Sequence, residues 1–222
     1  MKKMINNTQD PKVKAQERSV VMRYDIINHL IDTYGFEDYL EIGVAHGRNF
    51  RKIKAKNKDA VDPVVEVGVQ CKEINYKISS NEFFELKETQ EKKYDIIFID
   101  GLHEATQVDI DIQNSLNHLK EGGFILLHDC NPVSYEAQLV PRETTAWNGD
   151  VWKSIARLRC TRSDLDISVV DTDYGVGVIT KGENKKFDKF TFDECLDWET
   201  FDANRKEILN LIGVSELYKK YG

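Results

Sequence analysis

Residues that stiffen or cross-link a chain are scarce in this sequence of 222 residues, which has only four prolines and four cysteines. Cys71, Cys130, Cys160 and Cys195 are widely spaced, and no C-x-x-C pair occurs. This spacing argues against a zinc site or a redox dithiol and predicts reduced, mostly structural thiols.

Long apolar runs and an excess of positive charge are also absent. No stretch approaches the ~18 apolar residues that cross a bilayer, and the basic N-terminus never reaches an apolar run of signal-peptide length. The 31 Lys and Arg residues are outnumbered by 38 Asp and Glu, for a formal net charge of −7. We therefore expect a cytoplasmic protein with neither a membrane nor a nucleic acid as its partner.

The composition is that of a globular protein, with 41% hydrophobic and 31% charged residues. The length suits one α/β domain with a modest appendage. We predict a flexible N-terminus over residues 1–16, a main domain over 17–182 and a helical C-terminal extension over 183–222.

Apolar runs that alternate with helical periodicity predict a parallel sheet covered on both faces. Five helices are predicted before residue 165. Two cover 17–34 and 48–56, a third starts after Ser79, a fourth runs from about 108 to 119, and a fifth starts after a cap at Asp150. Predicted strands lie at 39–42, 60–61, 76–78, 94–99 and 124–127, with a hairpin over 166–180 and an ambiguous alternation at Val65, Val67 and Val69. Ligands bind such sheets at the carboxyl ends of the strands.

A glycine turn follows the first strand, with Glu41 before Gly43 and with Gly47 opening the next helix. Asp62 stands 19 positions beyond Gly43, at the end of the second strand, where a carboxylate accepts both hydroxyls of a ribose. The succession of strand, glycine turn, helix, strand and acid favours a nucleoside site. The alternative is that the glycines only shape a loop and Asp62 caps a turn.

The glycine turn departs from the dinucleotide fingerprint G-x-G-x-x-G, because position 45 is Ala. Glu41 also places a negative charge where a pyrophosphate would lie. An acid there suits a ligand with a cationic amino group and a sulfonium, since opposite charges attract in a partly dry cleft.

With these motifs the chain resembles the class I S-adenosylmethionine-dependent methyltransferases, over about residues 20–180. Within them it resembles a group with an Asp-Gly-x-His turn after the fourth strand and a His-Asp pair after the fifth. The matching segments are 41–47, 61–63, 79–84, 98–103 and 122–129. The resemblance implies a Rossmann-like, seven-stranded, mostly parallel, doubly wound sheet with an antiparallel last strand.

The resemblance also implies S-adenosylmethionine as the cofactor. It assigns the methionine end to Glu41, Gly43, Val44, Ala45 and Gly47. It assigns the ribose to Asp62, the adenine edge to Ser79 and Ser80, and the region near the sulfonium to Asp100 and Gly101.

Methyl transfer to a hydroxyl requires a group that takes the acceptor's proton. His103 and His128 are the candidates, because an imidazole titrates at about pH 6.5 and Asp129 or Asp100 can orient it. Which histidine is the base stays open, as does a purely structural role for either.

Asp100, His128 and Asp129 could instead hold a divalent cation, as happens in some related O-methyltransferases. Oxygen-rich ligands suit magnesium, whereas an imidazole in the set also suits manganese or iron. Trp147, Trp152 and Tyr174 flank the loops expected to form the acceptor pocket; core packing is their alternative role.

We therefore expect O-methylation of a small-molecule or sugar-type acceptor. The competing hypotheses are an NAD-dependent oxidoreductase on a similar sheet and a non-catalytic nucleotide-binding module. Homo-oligomerisation is left open.

Overall fold

The computed structural model describes residues 21–63 and 71–222, and its centre is a seven-stranded sheet. The strands are β1 (Asp38–Ile42), β2 (Asn57–Val61), β3 (Tyr94–Ile99), β4 (Leu119–Leu127), β5 (Leu165–Val170), β6 (Val176–Lys181) and β7 (Leu211–Ile212). Their order is β2-β1-β3-β4-β6-β5-β7. β6 runs antiparallel to both of its neighbours, and every other pairing is parallel. The predicted mostly parallel sheet is confirmed.

The seventh strand is not the one that the sequence pattern indicated. The predicted strand over 76–78 makes one isolated bridge, between Val61 and Tyr76, before the chain turns into the next helix. The edge strand β7 instead comes from the C-terminal part of the chain and pairs with β5. The alternation at 65–69 lies outside the described residues.

Seven helices surround the sheet. They are α1 (Arg23–Tyr34), α2 (Ser80–Glu85), α3 (Ala105–His118), α4 (Trp152–Thr161), α5 (Phe192–Leu196), α6 (Trp198–Ile208) and α7 (Val214–Lys220), among the described residues. The predicted capping box of α2 is confirmed, since Ser79 Oγ accepts from Glu82 N and Glu82 Oε2 accepts from Ser79 N. None of these helices is long and apolar enough to cross a bilayer.

The predicted helix over 48–56 is wrong in extent. Only one 3₁₀ turn forms there, at Phe50–Lys52. Lys58 Nζ donates to the carbonyls of Phe50 and Ile53, so a side chain satisfies acceptors that a longer helix would use itself.

The prediction that Asp150 caps the helix that follows it is also wrong. The residue before α4 is Val151, which makes no side-chain cap. Asp150 Oδ1 instead accepts a hydrogen bond of 2.7 Å from Ala105 N, the first residue of α3. A carboxylate 45 positions away caps α3, which local sequence rules do not detect.

The core lies on both faces of the sheet, because β3 is buried along its whole length. Ile97 and Ile99 point into the cluster that holds Trp152, whereas Ile96 and Phe98 point into the cluster under α1. Alternating side chains thus serve two cores, as expected of a doubly wound sheet.

The C-terminal helices pack against the main domain. The Phe201 ring of α6 stacks on Trp152 with centroids 3.9 Å apart. Arg205 Nη1 donates to Asn131 Oδ1 at 2.6 Å and to Pro132 O at 2.8 Å. This segment therefore supports the loop after β4, while its separation from the main domain at residue 183 stays a prediction.

The four cysteines are free thiols. Cys71, Cys130 and Cys195 are buried. Cys160 and Cys195 bring their sulfur atoms to 3.3 Å between α4 and α5, a proximity that their spacing did not predict.

Truncating the buried Phe201 tests the packing of the C-terminal helices. We expect Phe201→Ala to lower the free energy of unfolding by about 3–5 kcal/mol, because it removes a fully enclosed ring. Phe192→Ala, at a ring that is 40% exposed, is the matched control and should change it far less. Urea unfolding of both variants measures the difference, and equal losses would contradict the packing described.

Candidate functional site

The carboxyl ends of β1 and β3 touch through their backbones. Gly43 has φ +83°, and a Cβ atom there would lie 2.2 Å from the carbonyl oxygen of Asp100. Asp100 N donates to Ile42 O, and His128 N donates to Ile99 O. Only glycine fits at position 43, so three strand ends are brought to one edge of the sheet.

A cavity of about 460 Å³ opens at this edge. It is lined by Ile42, Gly43, Ala45, Val61, Asp62, Pro63, Ser79, Ser80, Asp100, Gly101, Leu102, Gln107, Asp111 and Trp147. Seven of the ten residues predicted to bind the cofactor are in this set. The structure therefore places the glycine turn and the carboxylate at position 62 on the same cavity.

Asp62 also shapes the glycine turn. Its Oδ2 accepts hydrogen bonds from Val44 N at 2.9 Å and Ala45 N at 2.8 Å. Ala45 has φ +44°, a left-handed conformation that is uncommon without glycine. The Asp62 carboxylate thereby stabilises the glycine turn, although it lies 17 positions beyond Ala45 in the sequence.

Glu41 lies behind the turn and is 1% exposed. Its Oε2 accepts from Tyr39 Oη at 2.6 Å and from Asn49 Nδ2 at 2.9 Å. Burial raises the pKa of Glu41 to about 7, against the lowering effect of these two donors. Val44 and Gly47 likewise lie outside the lining of the cavity.

Two histidines and two aspartates form a cluster beside the cavity. His128 Nδ1 lies 2.8 Å from Asp129 Oδ2 and 3.3 Å from Asp100 Oδ1. His103 Nε2 lies 3.3 Å from Asp100 Oδ1, and His103 Nδ1 lies 3.4 Å from Asp129 Oδ2. The structure thus joins all of the predicted catalytic residues into one group.

Sequence reasoning missed two members of this group, Arg23 and Asp173. Arg23 Nη1 lies 2.8 Å from Asp173 Oδ2 and 3.1 Å from His128 Nε2, while its Nε lies 3.7 Å from Asp100 Oδ2. Arg23 opens α1 and Asp173 lies in the β5–β6 turn, far from every motif. No local pattern in the sequence marked either residue.

Buried charge dominates the electrostatics of the cluster. Burial lowers the pKa of His128, but Asp129 and Asp100 outweigh it and raise that pKa well above its usual value. The pKa of His103 is raised in the same way, with Asp129 as the largest opposing influence. Burial alone would raise the pKa of Asp100, yet the neighbouring imidazoles and Arg23 hold it below its usual range.

The cluster also offers ligands to a divalent cation. One atom each of Asp100, His103 and Asp129 lie within 4.8 Å of one another, whereas the sequence had indicated His128 as the third ligand. His103 Nδ1 is buried and makes no hydrogen bond to the described residues. Two carboxylate oxygens and one imidazole nitrogen fit manganese or magnesium.

The three aromatic residues expected near the acceptor lie in three different surroundings. Trp147 lines the cavity and stacks on His103, with centroids 5.2 Å apart and 21° between the planes. Trp152 is fully buried in the core. Tyr174 meets the His128 ring edge-on at 6.3 Å.

Residues 40–130 match the model of a protein family described as a methyltransferase domain. The match covers less than half of the chain and indicates a methyltransferase domain of the kind that uses S-adenosylmethionine. Comparison with curated protein sequences finds no match.

Solved structures share the fold of this chain. A Staphylococcus aureus protein named as a caffeoyl-CoA O-methyltransferase is 16% identical, with a TM-score of 0.52 over 76% of this chain and 88% of the other. A Klebsiella pneumoniae protein named as an O-methyltransferase is 14% identical, with a TM-score of 0.52 over 80% and 91%. The SAH-bound methyltransferase of Podospora anserina is 14% identical, with a TM-score of 0.50 over 79% and 84%.

Glu41 allows a test of the buried acid behind the glycine turn. Its raised pKa means that the folded state favours the protonated form, so its contribution to stability is present below about pH 4.5 and is lost as pH rises through about 7. Glu41→Gln should therefore be more stable than the wild type at pH 8, by about 1–3 kcal/mol, and should lose this advantage near pH 5.

Urea unfolding at the two pH values measures the effect. The exposed Glu88→Gln is the control and should show no such dependence. If Glu41→Gln exceeds the wild type in the free energy of unfolding by the same amount at both pH values, the pKa of Glu41 is not raised.

Cofactor binding to the methyltransferase should raise its melting temperature, because a ligand that binds only the folded state stabilises it. We expect S-adenosylmethionine and S-adenosylhomocysteine to produce this shift and NAD to produce none. Asp62→Ala should weaken binding about 10- to 100-fold with the fold retained, the size expected for a lost hydrogen bond to a charged group.

Calorimetric titration measures the affinity. Asp32→Ala removes an exposed carboxylate of α1 and should bind like the wild type. A melting shift with NAD alone would instead favour the oxidoreductase hypothesis.

Proposed function

We propose that the methyltransferase transfers the methyl group of S-adenosylmethionine to a hydroxyl oxygen of a small-molecule or sugar-type acceptor. One observation carries this proposal: the imidazole of His103 contacts Asp100 and Trp147, which both line the cavity, and also lies beside Asp129. A proton acceptor thus stands next to the place assigned to the sulfonium.

The adenosine moiety of the cofactor fits the first cavity. Asp62 offers a carboxylate to the ribose, and Ser79 and Ser80, which we assign to the adenine edge, line the same cavity. Ile42 and Val61 supply apolar surface to the same cavity, as a purine ring requires.

The methionine end fits a second cavity of about 550 Å³, lined by Met22, Arg23, Tyr24, Arg48, Asn49, Arg51 and Lys52. Two buried atoms of its lining residues make no hydrogen bond to the described residues: Asn49 Oδ1, an acceptor, and Arg23 Nε, a donor. They suit the ammonium and the carboxylate of an amino acid respectively. Since Glu41 accepts from Asn49, the predicted role of Glu41 would be exerted through that amide.

The two cavities are neighbours, because Arg23 of the second lining lies with its Nε 3.7 Å from Oδ2 of Asp100 in the first lining. A cofactor that spans them brings its sulfonium to Asp100. Opposite charges attract in this partly dry setting, which supports the assignment of Asp100 to the sulfonium.

Methyl transfer is a direct displacement in which the acceptor oxygen, the methyl carbon and the sulfur must lie in line. The O–CH₃ bond forms as the S–CH₃ bond breaks, which leaves S-adenosylhomocysteine. The proton of the hydroxyl passes to an imidazole nitrogen of His103.

His103 suits this role better than His128. Its side chain is 19% exposed, whereas that of His128 is 8% exposed and enclosed by Arg23 and three carboxylates. The loop before α4 also fixes His103, because a Cβ at Gly149 would lie 1.8 Å from the His103 carbonyl oxygen and Asp150 N donates to it. His128 then orients the carboxylates of Asp100 and Asp129, which its Nδ1 contacts.

The acceptor approaches over an apolar platform. Trp147 is fixed by a hydrogen bond of 2.7 Å from its Nε1 to Leu139 O, and Leu102, which lines the same cavity, is 51% exposed. A planar ring or the apolar face of a sugar stacks on such an indole. This surface favours a small-molecule acceptor.

A divalent cation held by Asp100, His103 and Asp129 is the second candidate for proton removal, favoured by the proximity of their ligand atoms. When bound, it would polarise the acceptor hydroxyl and stabilise the alkoxide. Activity that EDTA abolishes and Mn²⁺ restores assigns the proton step to the cation, and full activity in EDTA assigns it to His103.

The pH dependence of turnover tests the base. His103 must be neutral to accept a proton, and its pKa is raised, so kcat/KM should fall as pH drops, with a midpoint above about 6.5. Asp129→Asn should move the midpoint to lower pH, because it removes the charge that opposes deprotonation most. His103→Ala and His128→Ala should each lower kcat about 100-fold or more while S-adenosylhomocysteine still binds.

The assay is mass spectrometry of a panel of hydroxyl acceptors with labelled S-adenosylmethionine. A midpoint that Asp129→Asn leaves unchanged would argue against His103 as the base. Cofactor binding without product across a broad panel would favour the non-catalytic module.

A further inference from the structure

Asp173 is a buried carboxylate that no motif marked, in the turn between β5 and β6. It is 3% exposed. Its Oδ2 accepts from Arg23 N at 3.0 Å and from Arg23 Nη1 at 2.8 Å, and its Oδ1 lies 3.5 Å from His128 Nε2. One side chain thus contacts the start of α1, the guanidinium of Arg23 and the imidazole of His128.

The backbone around Asp173 is held in an unusual conformation. Asp173, Tyr174 and Gly175 have consecutive φ values of +46°, +63° and +88°. Residues other than glycine are strained in such regions, and they persist there only where the surrounding structure fixes them.

The fixing contacts come from the segment that follows the His-Asp pair. Cys130 N donates to Gly175 O at 3.0 Å, and Asn131 N donates to Tyr174 O at 2.8 Å. A Cβ atom at Gly175 would lie 2.4 Å from Asn131 N. The β5–β6 turn and the chain after Asp129 are therefore one packed unit.

The two edges of the His128 ring have different partners. Nδ1 faces Asp129 and Asp100, as described above. Nε2 faces Arg23, which has only donors, and Asp173, which has only acceptors when ionised. Asp173 thus supplies the carboxylate at the Nε2 edge and also holds the guanidinium there.

We propose that Asp173 is a positioning residue of the methyl-transfer site, which fixes the imidazole of His128 and the guanidinium of Arg23 against Asp100. The proposal rests on the proposed function, in which His128 and Arg23 belong to that site. Burial raises the pKa of Asp173, but His128 and Arg23 outweigh it and hold that pKa at about 2, so the carboxylate stays ionised at neutral pH.

A structural role alone would also bury Asp173, because its contact with Arg23 N caps the start of α1. The two roles differ in what they predict. A cap affects the stability of the fold, whereas a positioning residue also affects the environment of the His128 ring and the rate of the chemical step.

The test is Asp173→Asn. Asparagine adopts positive φ readily and keeps an oxygen for Arg23 N, so the variant removes the charge with little change of shape. Asp166→Asn is the matched control, since this β5 carboxylate pairs with Lys220 and Tyr221 instead. Asp173→Gly, which suits the same backbone, replaces Asp173→Asn if that variant does not fold.

Two measurements are made on each protein. Steady-state kinetics should show kcat lowered about 10- to 100-fold in Asp173→Asn, the size of a lost charge-assisted hydrogen bond, with the KM for the acceptor little changed. The ¹⁵N chemical shifts of the His128 ring nitrogens, recorded without substrates at one pH, should change at Nε2 in Asp173→Asn and stay as in the wild type in Asp166→Asn.

The proposal is overturned if Asp173→Asn and Asp166→Asn have equal kcat and the same His128 signals as the wild type. A change in melting temperature alone would leave only the capping role and would overturn it too. If the wild type methylates no hydroxyl acceptor, the proposed function fails, whereas the His128 signals still decide whether Asp173 holds that ring.

Discussion

The close approach of Gly43 to Asp100 is the constraint on which the site depends. Because Gly43 has no Cβ atom, the turn after β1 can lie directly on the turn after β3. That contact brings the cavity assigned to the nucleoside next to the carboxylates of the His-Asp cluster. Any side chain at position 43 would separate the surface that we assign to the cofactor from the groups that we assign to proton transfer.

A balance of buried charge follows from this crowding. Asp100, Asp129 and Asp173 carry three negative charges, and Arg23 supplies one positive charge. This excess of negative charge raises the pKa of both histidines, and a divalent cation held by Asp100, His103 and Asp129 would offset the same charge. A metal-free base and a metal-assisted mechanism are thus two solutions to the same electrostatic requirement.

Features encoded in adjacent residues were predictable from the sequence. The apolar run at 94–99 forms the fully buried strand β3, and Ser79 caps its helix as expected. Contacts between distant segments were not predictable. Asp150 caps a helix 45 positions away, and Arg23 meets Asp173 across 150 positions, so neither leaves a periodic or local signal.

A crystal structure with S-adenosylhomocysteine tests the central claim most directly. The account predicts the ribose hydroxyls on Asp62, the amino-acid end beside Arg23 and Asn49, and the sulfur facing the opening between His103 and Trp147. A ribose bound away from Asp62, or a sulfur turned away from His103, would contradict it.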